Sequence, residues 1–216
     1  DVIEPATGQV IGKIGMADPS DIATAAASAR KAQKAWAAAS PDQRAGVFPK
    51  AVETGHAHWD EIVEWIMRES GSVRAKAEFE LRLSLKAIQL AGGMPYEAQG
   101  LVLPSEAGVV GIIAPFNFPL YLAMRAVAPA LAVGNAVVLK PDPRTAVCGG
   151  FVIARLFELA GLPAGVLQVL PGRGDAGEAL CSNPNIAMIQ FTGSTNAGRM
   201  VGQNASKHLK KVSLEL

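Results

Sequence analysis

The spacing of hydrophobic residues changes near Gly92. Before that point apolar residues recur every three or four positions, which is the spacing of amphipathic helices. The first such stretch begins with the polar group Pro19-Ser20-Asp21, which suits a helix N-terminus. The apolar residues that share one face of this predicted helix are Ile22, Ala25, Ala26, Ala29, Ala32 and Trp36.

Three more helices are predicted before Gly92. Ser40-Pro41 offers an N-cap followed by proline at the first helical position, and Pro49 is expected to interrupt the helix that starts there. A third helix is predicted over residues 58–70 with Gly71 at its end, and a fourth over residues 72–91. The residues expected to be buried on the third helix are Trp59, Ile62, Val63, Ile66 and Met67.

After Gly92 short apolar runs alternate with helical patterns. The runs are residues 109–114, 135–139, 165–170, 186–191 and 212–216, and the helices between them are 120–133, 145–160, 175–182 and 196–206. Runs that are apolar throughout are typical of strands buried on both faces. The alternation predicts an α/β fold with a doubly wound, Rossmann-type parallel sheet flanked by helices and preceded by the N-terminal helices.

Ligands of such sheets bind where the strands end, at their carboxyl edge. The segments that follow the strands are 114–119, 140–145, 171–177 and 191–198. Gly193-Ser194 opens a helix directly after a strand, so free backbone N–H groups there could receive a pyrophosphate, and Lys140 adds a positive charge. The spacing is not GxGxxG, and each glycine cluster taken singly, such as Gly172-Arg-Gly174, fits an ordinary turn.

Two polar residues have unusual positions in this half of the chain. Asn117 lies between two aromatic residues and before a proline. Its carboxamide could donate to a developing oxyanion, although asparagine in a turn more often satisfies its own backbone. Glu215 lies inside an otherwise apolar predicted strand, where a carboxylate is costly to bury unless it is paired or kept for proton transfer.

Composition narrows the possible partners. Half of the residues are hydrophobic and the formal net charge is +1. This charge gives no reason to expect nucleic acid or an anionic membrane surface as a partner, and no run of about 20 apolar residues could span a bilayer. A cytoplasmic protein with a small-molecule partner is expected.

The residues that could hold a metal or form disulfides are poorly arranged for either. Cys148 and Cys181 lack any CxxC or Cys/His spacing, so both are interpreted as structural cysteines of a reducing compartment. His56 and His58 would point to different faces of a helix, so no metal site is expected.

Five blocks of sequence taken together resemble the aldehyde dehydrogenase superfamily. They are residues 110–120, 129–141, 162–166, 191–195 and 212–216, and their order and spacing match over nearly the whole chain. Pro5-Ala-Thr-Gly8 and Ala35-Trp36 fit the N-terminal part of the family as well. Residues 121–126 and 140–146 look most like the benzaldehyde and vanillin dehydrogenase branch.

The resemblance implies NAD or NADP as cofactor and assigns roles to individual residues. Asn117 would help to form the oxyanion hole and Glu215 would be the general base. The residues implied to border the cofactor are Ile113, Ala114, Pro115, Phe116, Lys140, Asp142, Pro143, Arg144, Gly174, Gly177, Phe191, Thr192, Gly193, Ser194 and Leu216. The residues implied to line the aldehyde tunnel are Phe118, Tyr121, Leu122 and Arg125.

In the mechanism that the family implies, a cysteine thiolate attacks the aldehyde, and a thiohemiacetal and then a thioester form. Neither cysteine of this chain aligns with that nucleophile, which is expected beyond Leu216 together with the catalytic domain. The resemblance divides the chain into an N-terminal helical part (1–91), a remnant of the oligomerisation arm (92–107) and a cofactor-binding core (108–216). A homodimer or homotetramer is expected, although the family's longer arm is nearly absent here.

Several alternatives stay open for cofactor and substrate. Pro143 occupies the position where NAD-preferring members often have a glutamate, so we expect NADP+ to be accepted, with Lys140 and Arg144 able to attract its 2′-phosphate. Apolar and aromatic walls favour an aromatic aldehyde. Arg125 could instead hold the carboxylate of a semialdehyde, or form a structural ion pair.

The reaction type also has alternatives. An isolated chain could be a non-catalytic nucleotide-binding module. A relative that makes a thioester of coenzyme A, or one that reduces an acyl phosphate, would not ordinarily need Glu215 to activate water.

Overall fold

The computed structural model describes residues 1–97 and 108–216, and the predicted α/β class is confirmed. Its strands are β1 (Val2–Ile3), β2 (Val10–Gly12), β3 (Val109–Ile113), β4 (Ala136–Lys140), β5 (Leu167–Val169), β6 (Met188–Thr192) and β7 (Lys211–Glu215). The hairpin of β1 and β2 was not predicted, because strands of two and three residues leave no hydrophobic alternation to detect.

Most of the remaining chain is helical. The α-helices are α1 (Pro19–Ala38), α2 (Pro41–Ala45), α3 (Val47–Ala57), α4 (Trp59–Ser70), α5 (Arg74–Ala91), α6 (Met94–Glu97), α7 (Pro119–Ala132), α8 (Val152–Leu159), α9 (Gly174–Ser182) and α10 (Thr195–Ser206). A 3₁₀ turn at Pro143–Thr145 and a π-helical segment at Val147–Phe151 precede α8. The single helix predicted over residues 145–160 is therefore divided into three pieces.

The parallel sheet has the order β5-β4-β3-β6-β7. The chain runs outward from β3 through β4 to β5, returns to the other side of β3 as β6, and ends at β7. The order therefore reverses between β3 and β6, and a crevice opens at the carboxyl ends of strands at such a switch point. At this edge of the sheet β3 ends at Ile113 and β6 ends at Thr192.

Burial decreases from the centre of the sheet to its edges. Every residue of β3 and β4 is buried, as predicted for strands covered on both faces. The prediction is wrong for the other strands, because β5 is half-buried throughout, β6 alternates, and β7 has three exposed residues. β5 and β7 are edge strands of the described sheet, so each has only one strand neighbour to cover it.

Helices cover both faces of the sheet. α1, α9 and α10 lie against one face, and α7 and α8 lie against the other. α3, α4 and α5 form a further layer outside α7 and α8. The buried residues of the N-terminal helices and of the sheet belong to one hydrophobic cluster. Of the N-terminal helices, α1 therefore packs on the sheet itself, whereas α3, α4 and α5 pack on the helices that cover it.

Two details of the N-terminal helices differ from the sequence prediction. The break between α2 and α3 falls at Gly46, and Pro49 lies in the first turn of α3, where a missing N–H removes no helical hydrogen bond. Trp59 and Met67 are half-buried, whereas Ile62, Val63 and Ile66 are buried as predicted. Gly71 ends α4 in the left-handed conformation with φ of 69°, as expected for a helix C-terminus.

Most of the predicted oligomerisation arm, residues 98–107, lies outside the described residues. Among the residues that are described, no helix is both long and apolar enough to cross a membrane.

Candidate functional site

A cleft of about 410 Å³ lies at the switch point between β3 and β6, and we call it the switch-point cleft. Its predicted lining residues are Ile113, Lys140, Asp142, Pro143, Gly174, Gly177 and Phe191. Sequence reasoning missed the rest of its wall, which includes Arg173 before α9 and Met200, Val201 and Asn204 on α10. The helical spacing of these α10 residues reveals a shared face but not what that face covers.

Lys140 ends β4 inside this cleft with only 7% of its surface exposed. Its Nζ donates to the carbonyl oxygen of Gly172 at 2.7 Å. Burial lowers the pKa of the Lys140 ammonium, and the nearby carboxylates of Asp142 and Asp175 only partly oppose that effect. Because the charged form has lost most of its hydration, an anion in the cleft would stabilise it.

Glycines of the β5–α9 turn have two distinct roles. A Cβ at Gly172 would lie 2.5 Å from the Cβ of Ala176 and 3.1 Å from the Ala17 carbonyl oxygen, so packing requires glycine there. Gly174 has a negative φ, and a Cβ built on it would meet nothing within 4 Å. Folding therefore does not require glycine at 174, but a ligand that approaches the start of α9 closely would. This open backbone and the buried cation fit a dinucleotide.

A neighbouring cleft of about 670 Å³ shares Pro143 and Arg173 with the first. Here Arg144 lies 3.6 Å above the ring of Phe116 and donates to both carboxylate oxygens of Asp142, at 2.9 and 2.8 Å. Burial alone would raise the pKa of Asp142, but the hydrogen bonds from Arg144 outweigh it and the pKa is lowered. Asp142 is thus held as a carboxylate at the edge of the switch-point cleft.

The turn from β6 into α10 differs from the sequence prediction. The N–H of Gly193 donates to the carbonyl oxygen of Glu215 at 3.1 Å, so it is not free for a phosphate. The cause is β7, which pairs with β6 up to Thr192 and extends the ladder into the turn. Ser194 caps α10 by accepting from the N–H of Ala197 at 3.4 Å. In the described part of the chain, the N–H groups of residues 195 and 196 remain unpaired.

Asn117 is exposed at the carboxyl end of β3. Its carboxamide makes no hydrogen bond to any described residue, so the interpretation that it satisfies its own backbone is not supported. Next to it, the rings of Phe118 and Tyr121 meet edge to face with centroids 5.6 Å apart, and Phe79 of α5 lies 6.3 Å from Phe118. Aromatic surface therefore adjoins the free carboxamide.

Glu215 is not buried, contrary to the sequence expectation, because it lies on edge strand β7 with 48% of its side chain exposed. Its carboxylate forms an ion pair with Arg125 on the second turn of α7. Asn117 and Glu215 are far apart in sequence, and the fold brings both to α7, one just before its first turn and the other against its second. Arg125 is thus engaged in the ion pair that was one of its two predicted roles.

The other predicted residues have mainly backbone or packing contacts. Ala114 is buried and its N–H donates to the carbonyl oxygen of Lys140 at 3.1 Å. Pro115, Leu122 and Thr192 are half-buried. Leu216 is 59% exposed, and its side chain lies against Gly198 of α10, where a Cβ would come within 2.2 Å of it.

Sequence reasoning missed two buried carboxylates in the N-terminal helices, Glu69 of α4 and Glu80 of α5. The Glu69 oxygens accept from the N–H groups of Val147 and Cys148 at 2.8 and 2.7 Å. Oε1 of Glu80 accepts from the N–H groups of Leu120 and Tyr121 at 2.7 and 3.3 Å. Their burial could have been predicted from the helical spacing, because each glutamate falls on the apolar face of its helix.

Neither Cys148 nor Cys181 has the features of a reactive thiol. Burial raises the pKa of the Cys148 thiol well above its ordinary value and that of Cys181 to about 11. Neither forms a disulfide. Nucleophilic thiols require the opposite shift, so the interpretation of both as structural is supported. His56 and His58 are exposed, and no group of three or more His, Cys, Asp or Glu residues in the described ranges could hold a metal ion.

Comparison with known proteins matches this arrangement to one family. A vanillin dehydrogenase of an Amycolatopsis species is 54% identical over all of this chain and 46% of its own length. A benzaldehyde dehydrogenase (NAD(+)) of Pseudomonas putida is 45% identical over all of this chain and 47% of its own length. The crystal structure of an NAD-dependent benzaldehyde dehydrogenase from Corynebacterium glutamicum superimposes with a TM-score of 0.94 at 41% identity, covering all of this chain and half of that one.

The chain thus spans about half the length of the relatives it matches. The sequence profile of the aldehyde dehydrogenase family covers residues 1–216. This chain therefore belongs to the aldehyde dehydrogenase family.

Proposed function

We propose that the full-length protein oxidises an aromatic aldehyde to its carboxylic acid with NAD+ or NADP+. The observation that carries the proposal is the contact between Arg125 and Glu215. It brings a carboxylate from β7 to the helix that opens directly after the free carboxamide of Asn117. A nucleotide-binding module alone would need neither group at this place.

The nicotinamide cofactor, when bound, supplies the acceptor for the hydride that leaves the aldehyde carbon. Lys140, Gly174 and the N-termini of α9 and α10 would hold its anionic part, because they offer a desolvated cation, an open backbone and unpaired N–H groups. Ile113, Phe191 and Val201 would cover its apolar surface within the switch-point cleft.

Use of NADP+ beside NAD+ is supported by the residue after Asp142. Pro143 supplies no carboxylate that could repel a 2′-phosphate. Asp142 does present one, but Arg144 neutralises it through two hydrogen bonds. Its acceptor oxygens also suit the ribose hydroxyls of NAD+. Both cofactors are therefore expected to be turned over.

In the proposed reaction Asn117 donates its carboxamide N–H to the oxyanion that forms when a thiolate adds to the aldehyde. The thiolate belongs to a cysteine outside residues 1–216, since the buried thiols of Cys148 and Cys181 are unsuited to that role. Glu215 then deprotonates the water that hydrolyses the thioester. Its partial exposure lets that water reach it.

The aldehyde class is inferred from the wall beside Asn117. Phe118, Tyr121 and Phe79 form a connected aromatic surface, which favours an aromatic ring through edge-to-face and stacked contacts. The names of two relatives, vanillin and benzaldehyde dehydrogenase, support the same class. A semialdehyde is less suited, because Arg125 is already paired with Glu215 and would have to leave it to bind a substrate carboxylate.

The test is steady-state turnover of the full-length protein with benzaldehyde, vanillin and succinic semialdehyde, each with NAD+ and with NADP+, together with identification of the product. Formation of benzoate or vanillate with either cofactor supports the proposal. A preference for succinic semialdehyde would instead support the alternative in which Arg125 holds the carboxylate of a semialdehyde. Absence of NADP+ turnover would refute dual cofactor use, and a coenzyme A thioester as product would refute hydrolysis through Glu215.

A further inference from the structure

The start of α7 has an unusual capping arrangement. The residue at the N-cap position is Phe118, which has no side chain able to accept from the first N–H groups of the helix. Four N–H groups at a helix start need partners when they are buried. Here the acceptor comes from another helix, because Oε1 of Glu80 on α5 receives the N–H of Leu120 at 2.7 Å and that of Tyr121 at 3.3 Å.

Because the acceptor for the first N–H groups of α7 lies on α5, the residues just before α7 need not supply a capping side chain. Most helices have Ser, Thr, Asp or Asn at the N-cap, and the oxygen of that side chain is engaged in a hydrogen bond with an N–H group of the first turn. Since Glu80 provides the acceptor, Phe118 is free to join the aromatic wall. Asn117, one residue earlier, keeps its carboxamide free of hydrogen bonds to the described residues.

Glu80 is enclosed by the core and lies next to a cation. It is fully buried, at 0% exposure, and its Oε2 lies 3.5 Å from Nζ of Lys76, one turn earlier on α5. Lys76 in turn donates to Oγ of Ser72 at 2.7 Å and lies 5.0 Å above the ring of Phe118. The cation therefore touches both the supporting carboxylate and the segment that it supports.

We propose that Glu80 is a positioning residue that fixes residues 117–121, and with them the oxyanion-binding carboxamide of Asn117. This inference rests on the proposed function for its catalytic consequence, while the structural part concerns only the chain itself. A misplacement of about 1 Å in such a donor can lower the rate about 100-fold, because the donor must meet the oxyanion and not the ground-state carbonyl.

Glu69 provides a matched control within the same chain. It is also buried, it also comes from an N-terminal helix, and it also accepts two backbone N–H groups at the start of a helical segment, those of Val147 and Cys148. The segment that it supports does not contain Asn117. Loss of Glu69 should therefore resemble loss of Glu80 in folding but not in catalysis.

The experiment compares Glu80→Ala, Glu80→Gln and Glu69→Ala in the full-length protein by kinetics, thermal unfolding and hydrogen–deuterium exchange. For Glu80→Ala we expect kcat to fall about 100-fold with KM for aldehyde and cofactor within about threefold of wild type. For Glu80→Gln, which keeps an acceptor but loses its charge, we expect a smaller fall of about tenfold. Glu69→Ala should lower Tm comparably while kcat stays within about threefold.

Exchange measurements provide an outcome that does not depend on turnover. Faster exchange confined to peptides covering residues 117–123 in Glu80→Ala, and to those covering 146–150 in Glu69→Ala, supports the proposal. Equal losses of kcat in the two alanine variants, or unchanged exchange at 117–123, would overturn it. If the wild-type protein oxidises no aldehyde, the proposed function fails, and the exchange result alone decides whether Glu80 fixes this segment.

Discussion

The two sides of the candidate site are built in different ways. The switch-point cleft combines the ends of neighbouring strands of one sheet, such as Lys140 at the end of β4, with the Gly172–Gly174 turn and with α9 and α10, the helices that follow β5 and β6. The proposed aldehyde side, around Asn117 and Glu215, depends on contacts between distant parts of the chain. Asn117 follows β3, its support Glu80 lies on α5, and Glu215 arrives from β7.

The two sides should therefore be sensitive to different kinds of substitution. The cleft should respond to changes at the ligand surface that leave the fold intact, because the strand ends and helices that carry its residues are fixed by the core. The aldehyde side should respond to changes several residues or helices away, because no single element holds it.

Asn117→Ala should give the largest effect. We expect kcat to fall about 100- to 1000-fold, because a donor to the developing oxyanion is lost. KM should change little and Tm should not fall, since the side chain is exposed and makes no hydrogen bond to a described residue. Steady-state kinetics and thermal unfolding of the same preparation measure both quantities.

Asn117→Asp keeps the shape of the side chain but replaces its donor by an acceptor, so it serves as the control and should be as inactive as Asn117→Ala. Turnover of either variant within about fivefold of wild type would exclude Asn117 as an oxyanion donor.

Lys140→Met should weaken cofactor binding about 10- to 100-fold, the range for loss of a hydrogen bond from a charged group. Tm of the ligand-free protein should change little, because removal of a buried charge, whose pKa burial lowers, opposes the loss of the hydrogen bond to the Gly172 carbonyl oxygen. Titration of protein fluorescence with NAD+, and unfolding without ligand, measure the two effects separately.

The same lysine gives a pH dependence with a definite sign. The protonated form attracts an anionic cofactor, and its pKa lies below the ordinary value of 10.5. Affinity should therefore decline as pH rises, at a lower pH than an exposed lysine would require. Lys140→Met should lack that decline, and an identical decline in the variant would assign it to another group.

Gly174→Ala and Gly172→Ala form a matched pair in one turn. A methyl group at 174 meets nothing within 4 Å, so we expect normal stability and several-fold weaker cofactor binding. A methyl group at 172 would meet Ala176 at 2.5 Å, so we expect a loss of about 1–3 kcal/mol of unfolding free energy, which is typical of overpacking. Denaturant unfolding measures the stability of each variant, and cofactor titration measures its binding. If both variants bound the cofactor more weakly and neither was destabilised, the proposed difference between Gly172 and Gly174 would be wrong.

The smallest effect concerns the two supporting glutamates and their pH dependence. Burial raises the pKa of Glu69 and Glu80 above the ordinary 4.5, so each takes up a proton more readily in the folded than in the unfolded chain. Their contribution to stability is present below pH 4.5 and is lost as pH rises through the folded pKa. The Tm of Glu69→Gln should therefore improve relative to wild type between pH 4 and 7. A constant Tm difference across that range would contradict the raised pKa.

Much of the cleft could be predicted because strand ends are a local property. Apolar runs located β3 and β4 to within about two residues, and the residue that follows each run is then a candidate for the carboxyl edge. The same method wrongly predicted a free N–H at Gly193, since the sequence does not reveal that β7 extends its pairing and takes that N–H. The burial of Glu215 was misjudged for a related reason, because an apolar run does not tell an edge strand from a central one.

The alternation of strands and helices, the residues at the strand ends and the resemblance of the segments around Asn117 and Glu215 to a family pattern can all be read from the amino-acid sequence. These depend on hydrophobic spacing and on residue types in order, which are fixed along the chain. The cap of α7 by Glu80, the ion pair of Arg125 with Glu215 and the desolvation of Lys140 appear only in the folded structure. Those contacts join residues that lie 40, 90 and 32 positions apart, and their strength depends on burial, which packing creates and sequence order does not encode.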